Sequence, residues 1–171
     1  MADTGLKVTG AIGYDGTWSN LTTTRINTSD NSRATTTSST FDAGSLYNYS
    51  FGIPSGATID GIEVQCEFNN STAGRTSTIQ FSLSHNNGTN YTATKSDTVV
   101  GTTDTTRTYG GAADLWGEAS FSEYGTQDGN FYVKVEGKSN TFGIKCRLDH
   151  LQVKIYYHEA AANMFFLLMD D

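Results

Sequence analysis

The chain has 171 residues and a formal net charge of −7, enough for one well-cored domain and short for two. Its 18 glycines against 1 proline, with abundant Thr, Ser and Asn, suit strands and turns and exclude a helical bundle. The acidic balance excludes a nucleic-acid backbone as partner, because neutralising phosphates takes a concentrated Lys/Arg surface.

In chain order, residues 1–40 are polar and irregular. They predict an extended arm or long loop with one aromatic anchor, Trp18, and a Thr/Ser run from Thr35 to Thr40. The opening Met1-Ala2-Asp3-Thr4-Gly5 has neither a basic nor an apolar leader region, so synthesis in a host cytoplasm is expected. Alternation begins with Tyr47, Tyr49, Phe51 and Ile53 on one face, and Pro54-Ser55-Gly56-Ala57 turns the chain. The next strand carries Ile62, Val64, Cys66 and Phe68 inward against Glu63, Gln65 and Glu67. Another carries Ile79, Phe81 and Leu83 inward and stops at Asn86-Asn87-Gly88-Thr89, where Asn-Gly signals a hairpin. These two strands are expected to pair as antiparallel neighbours.

Weaker strands are expected at Tyr91 to Lys95 and in the Thr-rich segment through Thr108. Tyr109 to Gly117 shows neither period and predicts an ordered loop with buried aromatic contacts. Phe131, Val133 and Val135 then alternate with Tyr132, Lys134 and Glu136. In the last segment Ile144, Cys146 and Leu148 hold one phase and Leu151, Val153, Ile155 and Tyr157 the other, which predicts a bulge near Asp149-His150. With no αβ alternation, the reading is an all-β fold: an antiparallel, jelly-roll-like β-sandwich over residues 41–158, preceded by the arm and followed by a tail, 159–171.

Signals for chemistry are sparse. His85, His150 and His158 lack the spacing of a zinc motif, no Ser sits in a Gly-x-Ser-x-Gly elbow, and solvent-facing acids are the default in so acidic a chain. No catalytic residue, cofactor or metal is therefore expected. Asp15, Asp30, Asp42 and Asp104 could offer oxygens to calcium but form no ligand pattern. Cys66 and Cys146 fall at apolar-phase positions and are expected to be reduced, buried thiols. Tyr109 and Trp116 bracket a Gly-rich loop and leave two readings open: Trp116 plugs the end of the sandwich, or both aromatics meet a glycan. The tail is different in kind. Its run Met164-Phe165-Phe166-Leu167-Leu168-Met169 is far shorter than the about 20 residues that cross a bilayer, so no membrane is expected, and an aggregation hazard of this kind predicts burial against a sheet or a neighbouring subunit.

Three stretches carry a family resemblance. Phe51-Gly52-Ile53-Pro54-Ser55-Gly56-Ala57-Thr58-Ile59-Asp60-Gly61-Ile62-Glu63-Val64, then Tyr109-Gly110-Gly111 with Asp114-Leu115-Trp116-Gly117, then Leu148 to Tyr157, resemble a module of tailed-phage and other viral structural proteins. The resemblance implies a jelly-roll-like sandwich displayed on a virion, as a capsid decoration (cement) protein, a head fibre or a tail-associated binder. On that basis the expectation is a non-enzymatic decoration protein on the capsid surface, a homotrimer bound to the major capsid protein. Trp18 and Met164, Phe165, Phe166, Leu167 and Leu168 are then the shell or subunit contacts. The alternative is a receptor- or carbohydrate-binding module of a fibre, with Tyr109 and Trp116 on the glycan.

Overall fold

The alternating segments become strands. In chain order they are β1 (Ala2–Asp3), β2 (Ala11–Tyr14), the single-turn helix α1 (Thr23–Ile26), β3 (Ala34–Thr36), β4 (Asp42–Tyr47), β5 (Thr58–Asn70), β6 (Thr76–Ser84), β7 (Lys95–Val100), β8 (Thr105–Gly110), β9 (Tyr132–Ser139) and β10 (Cys146–His158). The computed structural model describes residues 1–159; Met164, Phe165, Phe166, Leu167 and Leu168 lie outside them.

Two antiparallel sheets face each other. The first runs β1-β10-β5-β8, with β3 paired to β10 on the same side as β1; the second runs β2-β4-β9-β6-β7. Four connections cross between the sheets at one end of the sandwich: 37–41, 71–75, 101–104 and 140–145. The result is an antiparallel jelly-roll sandwich. Its core is filled by the inward rows read from the sequence, among them Ile62, Val64, Cys66 and Phe68 of β5, Ile79, Phe81 and Leu83 of β6, and Leu151, Val153 and Ile155 of β10. Phe81 and Tyr109 meet across the two sheets with ring centroids 5.0 Å apart, a tilted contact that aromatic pairs favour.

The parity slip in β10 is a bulge. Leu148 pairs with Phe68 and His150 with Glu67, which leaves Asp149 without a cross-strand partner and returns Leu151 to the core opposite Cys66. Asn87 (φ 58) and Gly88 (φ 71) form the tight turn that Asn-Gly signals, inside a longer loop joining β6 to β7.

Three expectations are corrected. First, β5 and β6 do not pair. β5 lies between β10 and β8, β6 between β9 and β7, and the two inward rows face each other across the core. The connection 71–75 is held as a crossing rather than a hairpin, because Ser71 N donates to Lys145 O (3.0 Å) and Gly101 N to Arg75 O (3.2 Å). Second, residues 1–40 are integrated rather than a free arm: they supply β1, β2 and β3 and bridge Lys7 to Val153 and Ser19 to Thr35. Trp18, expected at a shell contact, is only 4% exposed. Its indole Nε1 donates to Asp42 O at 2.8 Å, and the ring occupies space that Gly137 leaves open, where a β-carbon would sit 2.5 Å from Cζ2. Third, the strand begun by β4 stops at Tyr47. Asn48 (φ 61), Ser50 (φ 52) and Gly52 (φ 68) all adopt left-handed backbone, so the alternation of Tyr49 and Phe51 comes from a twisted loop and not from a pleat. Tyr49 and Phe51 still point inward, each edge-on to Phe131.

Candidate functional site

The two outer faces of the sandwich differ. That of the first sheet is covered near the β10 bulge by the segment around α1: Asn31 N donates to Asp149 Oδ2 (3.1 Å) and Ser29 Oγ to Glu67 Oε2 (2.6 Å). Burial raises the Asp149 carboxyl above the usual carboxylate range. Over the central strands of the second sheet most outward positions are half-buried among the described residues; the exceptions are Ser82 and Ser84 at the end of β6, which are buried, with Gly88 N of the β6–β7 loop donating to Ser84 Oγ at 3.0 Å.

The half-buried positions form an aromatic and polar strip. Tyr47 on β4 and Tyr132 on β9 are directly cross-strand, and their rings stack with centroids 4.9 Å apart at 12°, the pairing that stabilises adjacent strands. On β2, Gly13 lies beside the pair: a β-carbon there would meet Tyr132 and Tyr47 at ordinary contact distance, 3.4 and 3.5 Å, and would crowd Ser45 Oγ at 2.9 Å. Tyr91, from the β6–β7 loop, completes the cluster, with Lys134 Nζ 4.8 Å from its ring centroid. Partial burial, then the nearby Tyr132 and Glu136, raise the Tyr91 phenol above its ordinary pKa, so it stays a neutral donor at physiological pH.

Along β9 the strip becomes polar. Glu136 accepts from Gln80 Nε2 at 2.8 Å and lies 3.5 Å from Lys134 Nζ. Next come hydroxyls and a carboxamide: Thr78 and Thr98 are in contact at 2.9 Å, and Asn140 Nδ2 donates to Thr78 Oγ1 at 2.9 Å. At the far end Lys138 Nζ lies 4.6 Å over the ring of Phe41. From Tyr132 to Lys138 the strip is about 20 Å long, at roughly 3.3 Å per residue, the dimension of a short oligosaccharide. Beside β2 it adjoins a shallow cleft of about 510 Å³, lined by Gly13, Tyr14, Asp15 and Thr22 among others, with Tyr14 62% exposed. Ring faces beside fixed donors and acceptors can hold a ligand that is apolar on its flat sides and hydroxylated at its edges.

The residues singled out from sequence are elsewhere. Trp116 is 1% exposed and Tyr109 8%, so neither presents a ring to a glycan, which corrects that assignment. Trp116 plugs the end of the sandwich: its Nε1 donates to Ile62 O at 2.9 Å, and Ala93 N donates to Trp116 O at 3.2 Å. Trp18 is inside, and Met164 to Leu168 lie outside the described residues. Asp42 accepts from Thr17 N and Oγ1, Asp104 pairs with Arg33, and Asp30 accepts from Ser32 N; each of these carboxylates has its own separate partner. Among the described residues no three His, Cys, Asp or Glu side chains come together as a metal would need. Cys66 and Cys146 are both buried thiols. The register puts Cys66 opposite Leu151 and Cys146 opposite Asn70, about 13 Å apart along the strand, beyond the about 7 Å a disulfide can bridge. Burial pushes the Cys146 thiol up to about 12 and raises Cys66 as well, which makes both inert.

No protein-family model matches the chain, and no curated protein matches it. Among solved structures it is similar to a truncated AlyQ with CBM32 and alginate lyase domains, at 14% identity and a TM-score of 0.55, over 94% of this chain and 35% of that one. It is also similar to the CBM22-1 xylan-binding domain from Paenibacillus barcinonensis Xyn10C, at 13% identity and a TM-score of 0.46, over 92% of this chain and 88% of that one. The chain thus spans about a third of the AlyQ structure, and at 14% identity the likeness to it is one of fold alone.

Proposed function

We propose that the protein is a non-catalytic carbohydrate-binding module whose ligand lies across the outer face of the second sheet. The observation that carries this reading is the half-buried Tyr47–Tyr132 stack with Tyr91 beside it, followed along β9 by Lys134 and Glu136, with Gln80 opposite on β6. The tyrosine rings take the flat C–H side of a pyranose, and the polar row takes its hydroxyls. The sandwich is an architecture shared with a solved structure that includes a CBM32 domain, which supports the reading at the level of fold. The capsid-decoration reading has less to stand on: Trp18, one of its contacts, is inside, and the strip described above lies on the outside.

The test is affinity electrophoresis of the pure protein through gels containing soluble neutral or acidic polysaccharides. Migration is expected to be retarded in at least one of them relative to a non-binding protein of similar charge. Unchanged migration in every polymer would overturn the proposal.

A further inference from the structure

The two ends of the sandwich differ in charge. At one end of the sandwich, the loops and strand ends carry Asp60, Asp114, Glu118, Glu123 and Asp128. At the other, where the four connections cross, 37–41, 71–75 and 140–145 contain no carboxylate, Asp104 of the fourth is paired with Arg33, and Asp42 at the head of β4 is buried and accepts from Thr17. That second end carries exposed Arg75 and Lys145, and Lys138 stands on the outer face beside it. Among the described residues none of these three cations is in an ion pair. Phe142 sits there too, at the corner of a tight turn in which Ile144 N donates to Thr141 O and Gly143 takes φ 77. It is 99% exposed and contributes nothing to the core.

In a chain of net charge −7 with only 11 Lys and Arg, unpaired cations at one end of a strip are a directional field. Of the carboxylates on the central strands, Asp42 is buried and Glu136 faces outward on the strip, where it already accepts from Gln80 and neighbours Lys134; Asp15 lies at the β2 edge. A neutral glycan offers these ammonium and guanidinium groups only hydroxyl acceptors, whereas acidic groups on a sugar form stronger, charge-assisted hydrogen bonds with them. We infer that the ligand is an acidic polysaccharide, bearing carboxylate or sulfate groups, laid with its chain running from the tyrosine cluster toward Lys138, Arg75 and Lys145.

This inference rests on the carbohydrate-binding reading, and the experiment separates the two. Binding is measured by isothermal titration to polygalacturonate and its carboxyl-reduced counterpart, to dextran sulfate and dextran, and to a single-stranded oligonucleotide. The expected result is binding to one acidic polymer about tenfold or more tighter than to its neutral counterpart, weakening several-fold as salt rises from about 0.05 M to about 0.5 M. Which polymer wins names the acidic group. The triple variant Arg75→Gln, Lys138→Gln, Lys145→Gln should lose that preference with its melting temperature unchanged. Equal binding to a neutral counterpart, or an unaltered triple variant, would overturn the acidic ligand and leave the carbohydrate reading standing. Preference for the oligonucleotide, or binding to no polysaccharide, would overturn both.

Discussion

Replacing Trp116 by Ala is expected to destabilise the protein by about 3–5 kcal/mol, the usual cost of truncating a fully buried tryptophan. Trp116 is 1% exposed and donates from its indole to Ile62 O at 2.9 Å. The loss is mostly cavity, because Ile62 O keeps a second donor, Gly111 N at 3.1 Å. Gly110 can have no side chain here, since a β-carbon would lie 2.6 Å from the Trp116 Nε1, so the neighbouring backbone cannot simply close over the hole. In a chain of this size the melting temperature should fall by roughly 10 °C, and Trp116→Phe should recover part of it. A variant melting within about 2 °C of the wild type would show that Trp116 is not the plug described. Loss of ligand binding in Trp116→Ala would accordingly report a damaged fold and not a missing contact.

The opposite pattern is expected at the tyrosine stack. Tyr132→Ala should weaken polysaccharide binding by roughly 30-fold, about 2 kcal/mol, the size of a central contact residue. It touches Tyr47 directly and neighbours Tyr91, so its removal unsettles all three rings. The stability cost should stay near the about 0.5–1.5 kcal/mol of an aromatic pair, because its ring lies outside the core. Tyr47→Ala should lose less, and the double variant less than the sum, as residues in contact do. Wild-type affinity in Tyr132→Ala would remove the stack from the site.

What the sequence showed and hid follows from local backbone. The core rows Ile62–Phe68 of β5, Ile79–Leu83 of β6 and Val133–Val135 of β9 were legible because each alternates with period two, and the bulge at Asp149 was legible because the alternation of β10 changes phase there. The partnership of strands was not legible, since β5 and β6 have the same pattern whether they pair or face each other across a core. The site was hidden by one residue. Tyr47 reads in phase with Tyr49 and Phe51, but the left-handed Asn48 reverses the parity, so Tyr47 faces outward while Tyr49 faces inward. Asn is among the few residues that take that conformation readily, and Asn48 between two tyrosines was the available signal. The first forty residues looked irregular because β1, β2 and β3 are two to four residues long, too short to display a period. Their order comes from pairing with β10 and β4.

The most direct measurement is an amide NMR titration of the isotopically labelled protein with whichever polysaccharide retards it. Binding on the strip requires shifts concentrated at Tyr47, Gln80, Tyr91, Tyr132, Lys134 and Glu136, with the Trp116 loop and the paired cores of β5 and β10 unmoved. Shifts confined to the opposite end, at the cleft lined by Ser50 to Ile53 and Thr126 to Asp128, would contradict it.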